Sequence, residues 1–126
     1  MTLVTSTLDS VIVVWHVAVN AGDAESAAAA CTEDVILVGP QGKAEGRDAM
    51  REWVSTAGVR LMPRDSYDIP NGIVVTQEVT WPRSADYDPQ AAPERIYTSF
   101  GLRDGSIASV HRFSTLEEAR AFSVAA

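Results

Sequence analysis

The chain reads as an α+β protein. Apolar residues recur at helical spacing in three segments of the first half. Two hairpin-type dipeptides, Asn71-Gly72 and Asp104-Gly105, fall in the second half, and the segments beside them are patterned for strands. Helices first and a largely antiparallel sheet after is the order expected when helices cover one side of a sheet.

The first helix is predicted from a capping-box-like Ser6-x-x-Asp9 and from Leu8, Val11, Ile12, Trp15, Ala18 and Val19, which share a helical face. The β-branched run Val11-Ile12-Val13-Val14 pulls toward a strand, but length and the cap favour the helix. Asn20-Ala21-Gly22 ends it, Gly22 being suited to a left-handed cap, and Asp23 can open an Ala-rich second helix over residues 24–31. Val35-Ile36-Leu37-Val38, bounded by Asp34 and Gly39-Pro40, predicts a short buried strand, and Gly42 and Gly46 punctuate a loop. Ala49, Met50, Trp53, Val54 and Ala57 mark one face of a third helix, closed by Gly58.

Residues 59–69 predict an irregular strand whose Pro63 calls for an edge or a bulge. After Asn71-Gly72, Ile73, Val75, Val79 and Trp81 alternate along a strand, and Gln77 shares their face. Residues 82–93 carry three prolines and form a loop long enough to suggest a functional role. Asp86, Asp88 and Glu94 read most simply as a solvated face of that loop. Overlapping boxes at Ser114-x-x-Glu117 and Thr115-x-x-Glu118 open a terminal helix with Leu116, Ala119 and Phe122.

A two-residue loop at Asp104-Gly105 pairs Arg103 with Ser106. Carried along the ladder, that register places Ser99 opposite Val110 and Tyr97 opposite Arg112 on one face. Ile96, Thr98, Phe100, Leu102, Ile107, Ser109, His111 and Phe113 share the other, and pattern alone does not say which face is the core.

The bulk properties narrow the function classes. A chain of 126 residues is expected to be one domain over 1–126, and a net charge of −7 disfavours wrapping nucleic acid or docking on anionic lipid. Cys31, the sole cysteine, cannot form an internal disulfide, which suits a reducing compartment. No basic segment precedes an apolar run, and the apolar run 11–19 is broken by His16 and too short for a bilayer; a cytoplasmic location is expected. His16 and His111 lack the spaced cysteines or paired acids of a metal site, and Gly39-x-x-Gly42 lacks the Lys-Ser/Thr of a phosphate loop, so neither metal nor cofactor is expected. Cys31 reads as a buried hydrophobe and His16 as a satisfied or partly exposed imidazole.

Trp15 with Asn20-Ala21-Gly22-Asp23, then Asp34-Val35, Gly39-Pro40-x-Gly42, Gly46-Arg47-Asp48 and Asp104-Gly105-Ser106-Ile107, in this order and spacing, resemble the nuclear transport factor 2-like superfamily. That group includes ketosteroid isomerases, SnoaL-like polyketide cyclases and limonene epoxide hydrolases. The resemblance implies a cone: a curved antiparallel sheet wrapped around N-terminal helices, the cystatin-like roll, with an apolar pocket at the open end. It implies a homodimer through the outer sheet face, with Phe100, His111 and Phe113 at the interface and Tyr97, Ser99, Val110 and Arg112 inside the cone.

The resemblance also removes an activity. An ungapped match places Gly39 where the isomerases hold their carboxylate base, Trp15 where they hold an oxyanion-binding tyrosine and Ser99 where they hold a second acid. Glycine takes no proton, and an indole N–H only donates. Arg112 likewise falls where the epoxide hydrolases carry a last-strand acid, and their Arg-x-Asp falls near Glu78-x-Thr80.

What stays is a small-molecule pocket for an anionic or carbonyl-bearing organic compound, with Trp15, Trp53, Gln77, Tyr97, Ser99 and Arg112 as candidate ligand-binding residues. Arg112 would pair with a ligand anion or, alternatively, with Glu78. A base is missing, and Glu78 is the only nearby acid. The alternative is a non-catalytic dimerisation or interaction module with Ile96, Phe100, Leu102, Ile107 and Phe113 as its working surface.

Overall fold

A computed structural model describes residues 9–39, 42–83 and 88–122. The predicted cap at Ser6, together with Leu8, Pro40 and Asp86, lies outside them. Helices α1 (Ser10–Ala21) and α2 (Ala24–Ala29) precede strands β1 (Cys31–Gly39) and β2 (Gly42–Glu45). Then come α3 (Arg47–Ala57), β3 (Arg60–Ile69), β4 (Gly72–Thr80), β5 (Glu94–Arg103), β6 (Ser106–Phe113) and α4 (Leu116–Ala121). The six strands form one curved, open sheet in the order β2-β1-β6-β5-β4-β3, antiparallel throughout except where β1 runs parallel to β6. This is the α+β architecture expected.

The β-branched run of α1 is helical because its alternate face has a core to enter. Ile12, Trp15, Ala18 and Val19 are buried against the sheet, whereas Val13, Val14 and Val17 stay exposed. The helix stops at Gly22 in the left-handed region (φ 71°). Asn20 then behaves as a piece of strand: its amide donates to Leu61 O at 2.9 Å and its side-chain oxygen accepts from Leu61 N at 2.7 Å. The end of α1 is thereby pinned to β3. Asp23 caps α2 as expected, accepting from Ser26 N.

Two local expectations change. The loop predicted around Gly42 is strand β2, paired with β1 through Gly39 and Gly42. The first hairpin turns one residue earlier than Asn71-Gly72 suggests. Ile69 already pairs with Gly72, so Pro70 and Asn71 form the loop, Asn71 at φ 61°. The predicted irregularity near Pro63 is a bulge between Pro63 and Asp65 on an edge strand. Asp104 and Gly105 have positive φ (53° and 78°), the signature of a type I′ hairpin. Of the two candidate boxes before α4, Thr115 takes the cap, accepting from Glu118 N.

Helices α1, α2 and α3 cover one face of the sheet, here called inner, and α4 lies on the other. The core is Ile12, Trp15, Val19, Met50 and Val54 from the helices against Val35, Ile73, Val75, Val79, Phe100 and Ile107 from the sheet. Gly72 lets β4 and β5 approach: a Cβ there would stand 2.1 Å from Phe100 O. Gly72→Ala is therefore expected to destabilise the fold by ~3 kcal/mol, read as a lower urea midpoint at an unchanged slope. A midpoint equal to that of the parent would contradict the close approach.

Candidate functional site

The composition of the inner wall is set by a bulge in β6. Arg103 pairs with Ser106 and Leu102 with Ile107, as a two-residue turn demands, but Gly101 then pairs with Ser109. Ala108 is the extra residue, and alternation beyond it is reversed. Phe100 consequently faces Val110 and Thr98 faces Arg112, while Ser99 faces His111 and Tyr97 faces Phe113.

This corrects the predicted wall of Tyr97, Ser99, Val110 and Arg112. Val110 and Arg112 are on the inner face; Tyr97 and Ser99 are on the outer. Ser99 is fully buried there, donating to Ala119 O of α4 at 2.8 Å. The predicted interface trio separates as well. Phe100 lies in the core against Trp15 and His16, whereas His111 and Phe113 stack on the outer face (ring centroids 4.7 Å apart) and meet Phe122. The physical reason is the same one-residue shift.

The remaining candidates gather on the inner side. Trp15 stacks on the half-buried Trp53 with centroids 5.9 Å apart and planes 5° from parallel, and meets Phe100 edge-on at 5.1 Å. Next to them runs a buried polar line. His16 Nδ1 lies 2.8 Å from Ile12 O, Gln77 Nε2 lies 2.9 Å from His16 Nε2, and Thr98 Oγ1 donates to Gln77 Oε1 at 2.7 Å. A carbonyl can only accept, so His16 carries its proton on Nδ1. The Gln77 amide then donates to Nε2 and accepts from Thr98. Every group in the line is satisfied with His16 neutral, and burial pushes the His16 pKa below its ordinary value. Gln77 is the middle of this line.

Three buried side-chain atoms have no hydrogen-bond partner among the described residues: Thr32 Oγ1, Ser109 Oγ and, beside this line, Trp15 Nε1. A buried donor without an acceptor costs about 1–3 kcal/mol, so such groups call for an explanation.

Toward the sheet margin the inner wall opens. Leu37 pairs with Val110, and both are only partly buried. Val38 pairs with His111, and a Cβ added to the next residue, Gly39, would meet no described atom within 4 Å. Arg112 donates to Glu94 at 3.0 Å, not to Glu78. Glu78 points to the outer face, each oxygen 2.9 Å from an arginine, Arg64 or Arg95, and those two hold its carboxyl below the usual range. Glu94 was missed in the sequence because it looks like the end of an acidic loop. The signal was its alternation with Ile96 and Thr98.

Other conspicuous residues are structural. Cys31 is buried, its thiol near Ala27 O, and desolvation raises its pKa to about 12, which makes it a poor nucleophile. Arg47 donates twice to Cys31 O, tying the start of α3 to β1. Among the described residues no three His, Cys, Asp or Glu side chains converge as a metal would need, and no helix is long and apolar enough to cross a membrane.

The neutral His16 line makes stability depend on pH. The unfolded chain takes up a proton on His16 below its ordinary pKa of 6.5, which the folded chain refuses. Stability from this group is complete above that value and is lost as pH falls from it through the folded pKa. Thermal melts between about pH 7 and about pH 5 should show the parent losing Tm faster than His16→Gln, with His111 common to both. Parallel profiles would overturn the neutral assignment.

The comparisons with known proteins agree with this fold. The SnoaL-like domain family matches residues 12–110. A candidate polyketide cyclase from Sinorhizobium meliloti superposes with a TM-score of 0.72 at 18% identity, covering 84% of this chain and 95% of that one. A protein of ketosteroid isomerase-like fold from Catenulispora acidiphila, solved with trimethylamine, gives 0.70 at 14% identity over 87% and 88%. TerC, co-crystallised with polyporic acid, gives 0.70 at 22% identity over 82% and 87%. No functionally curated protein matches the chain in sequence. With most of its length matched by the family and with the fold of these structures, the chain belongs to the SnoaL-like domain family, within the nuclear transport factor 2-like fold.

Proposed function

We propose that the protein binds a small organic molecule bearing a carbonyl or carboxylate on the inner face of its sheet. The observation that carries this reading is the buried Trp15 Nε1, a donor with no acceptor among the described residues. A ligand oxygen would satisfy it. Around it, Trp53, Leu37 and Val110 offer partly buried apolar surface, and Arg112 offers a cation beside open space at Gly39. An apolar wall with a few convergent donors is the usual make-up of a small-molecule site. The fold neighbours that hold trimethylamine and polyporic acid support the class of use, not the identity of the ligand.

The polar groups offered are donors. Trp15 N–H and the Arg112 guanidinium can stabilise negative charge on an oxygen. Glu94, the carboxylate that Arg112 reaches among the described residues, is committed to it, and His16 Nε2 is committed to Gln77. The reading is therefore binding and charge stabilisation, with no proton-abstracting residue assigned. A cytoplasmic location remains part of the proposal, supported by a lone cysteine that suits a reducing compartment.

A thermal-shift screen of aromatic and quinone carboxylates supplies the ligand, and two variants test the site. Arg112→Ala should abolish binding of an anionic hit. Trp15→Phe, which keeps a ring but removes the N–H, should weaken it roughly tenfold. Unchanged affinity in both variants would remove the inner face from consideration.

The second reading, a homodimer, has one supporting feature. His111, Phe113 and Phe122 make an aromatic cluster on the outer face, and each is only partly buried. Sedimentation at micromolar concentration decides it: a dimer that Phe113→Asp dissociates supports the reading, and a clean monomer ends it.

A further inference from the structure

The outer face of β3 and β4 carries a half-open concavity of about 330 Å3, on the opposite side of the sheet from Arg112. Met62, Pro82 and Pro93 form its apolar walls; Arg60, Arg64, Glu78 and Thr80 supply its polar groups. The register explains why they meet. Arg60 pairs with Thr80 and Met62 with Glu78 on adjacent rungs, while the bulge at Pro63–Asp65 brings Arg64 to the same side. The two prolines lie at either end of the segment between β4 and β5.

Its electrostatics set it apart from the rest of an acidic chain. Glu78 receives Arg64 on one oxygen and Arg95 on the other, each at 2.9 Å. One carboxylate thus orients two guanidiniums without neutralising both, and Asp65 acts on Arg95 from a neighbouring position. Arg60 adds a third cation. Every other arginine of the chain has a partner: Arg47 and Arg83 on backbone carbonyls, Arg51, Arg64, Arg95, Arg103 and Arg112 on carboxylates, Arg120 over the Tyr67 ring. Arg60 has none among the described residues, although the sequence holds 17 acidic side chains against 10 basic ones. Arg64 uses one Nη2 donor on Glu78, and a guanidinium has five donors in all.

We propose that this outer cleft binds a small organic monocarboxylate with a compact apolar body, its carboxylate on Arg60 and Arg64 and its body between Met62, Pro82 and Pro93. A guanidinium fork matches a planar carboxylate, and Thr80 Oγ1 can complete its hydrogen bonding. The cleft is at the small end of ligand sites, which restricts the body to about one ring. The site is independent of the inner face.

Amide chemical-shift titrations of the full chain with benzoate, cyclohexanecarboxylate and inorganic phosphate test it. The two carboxylates should give saturable shifts centred on β3 and β4 near Arg60 and Thr80, with phosphate weaker. Arg60→Gln should lower benzoate affinity roughly tenfold, as loss of a hydrogen bond to a charged group does. Arg112→Gln should leave these shifts in place. Because Arg60 is exposed, its replacement does not threaten the core. Equal binding by Arg60→Gln, phosphate matching benzoate, shifts confined to the neighbourhood of Arg112, or no saturable shift would each overturn the proposal.

Discussion

A single extra residue in β6 decides what this sheet presents to each side. Ala108 lies between two correctly closed stretches of ladder: Leu102 with Ile107 before it, Gly101 with Ser109 after it. Without it, Phe100 would face Ser109 and Ser99 would face Val110. With it, Phe100 and Val110 share the inner face with Ile107, and the hydrophobic set of the strand pair is complete on one side. The same step carries Arg112 to the inner face, where Glu94 meets it, and sends Ser99 outward to be buried by α4. The parity of the strand, not the identity of any residue, separates the inner ligand candidates from the outer cluster of His111, Phe113 and Phe122.

The bulge was written in the sequence, though not in the turn. Asp104-Gly105 specifies its hairpin correctly and carries no information about the strand beyond it. The informative spacing is Ile107 to Val110: two apolar residues three apart cannot share a strand face unless one residue is spare. Most of the fold was legible because local rules and tertiary packing agree. Gly22 and Gly58 take left-handed caps, Asp23 and Thr115 cap with their side chains, and Pro63 marks an edge and a bulge. Helix α1 was less legible, since its valines have strand propensity and only the burial of one stripe settles the matter. The placement of the candidate residues on the two faces was legible in part. Trp15, Trp53 and Arg112 are on the inner side, while Gln77 is occupied in holding His16 and Tyr97 faces away.

The structure uses arginine to close gaps in the backbone as much as to balance charge. Arg83 Nη1 donates to Asn20 O, and its Nη2 donates to Val19 O and Val59 O, so one guanidinium serves carbonyls at the end of α1 and just past α3. Arg47 does the same for Cys31 O. A cation at a helix C-terminus is favoured by the helix dipole, and Val19 O accepts from Arg83 in addition to the Gly22 N–H that caps α1. Arg83 therefore anchors the beginning of the long loop to two helix ends at once. That anchoring fixes Pro82, one wall of the outer cleft, independently of anything that occupies the cleft.

The inner face then poses a chemical constraint sharper than the loss of one base. Its polar line runs from Ile12 O through His16 and Gln77 to Thr98, with both imidazole nitrogens engaged and burial favouring the neutral ring. A group so committed cannot take a substrate proton without breaking a hydrogen bond that burial makes costly to lose. Nor would a carboxylate introduced at Gly39 restore general-base chemistry. It would follow Val38, which pairs with His111, the residue before Arg112, and a guanidinium near a carboxylate lowers its pKa and weakens it as a base. Arg112 and a base at this level of the sheet are electrostatically at odds. In the binding role proposed for the inner face, an arginine with a glycine would hold negative charge rather than create it, and the indole N–H of Trp15, unpartnered among the described residues, suits the same role.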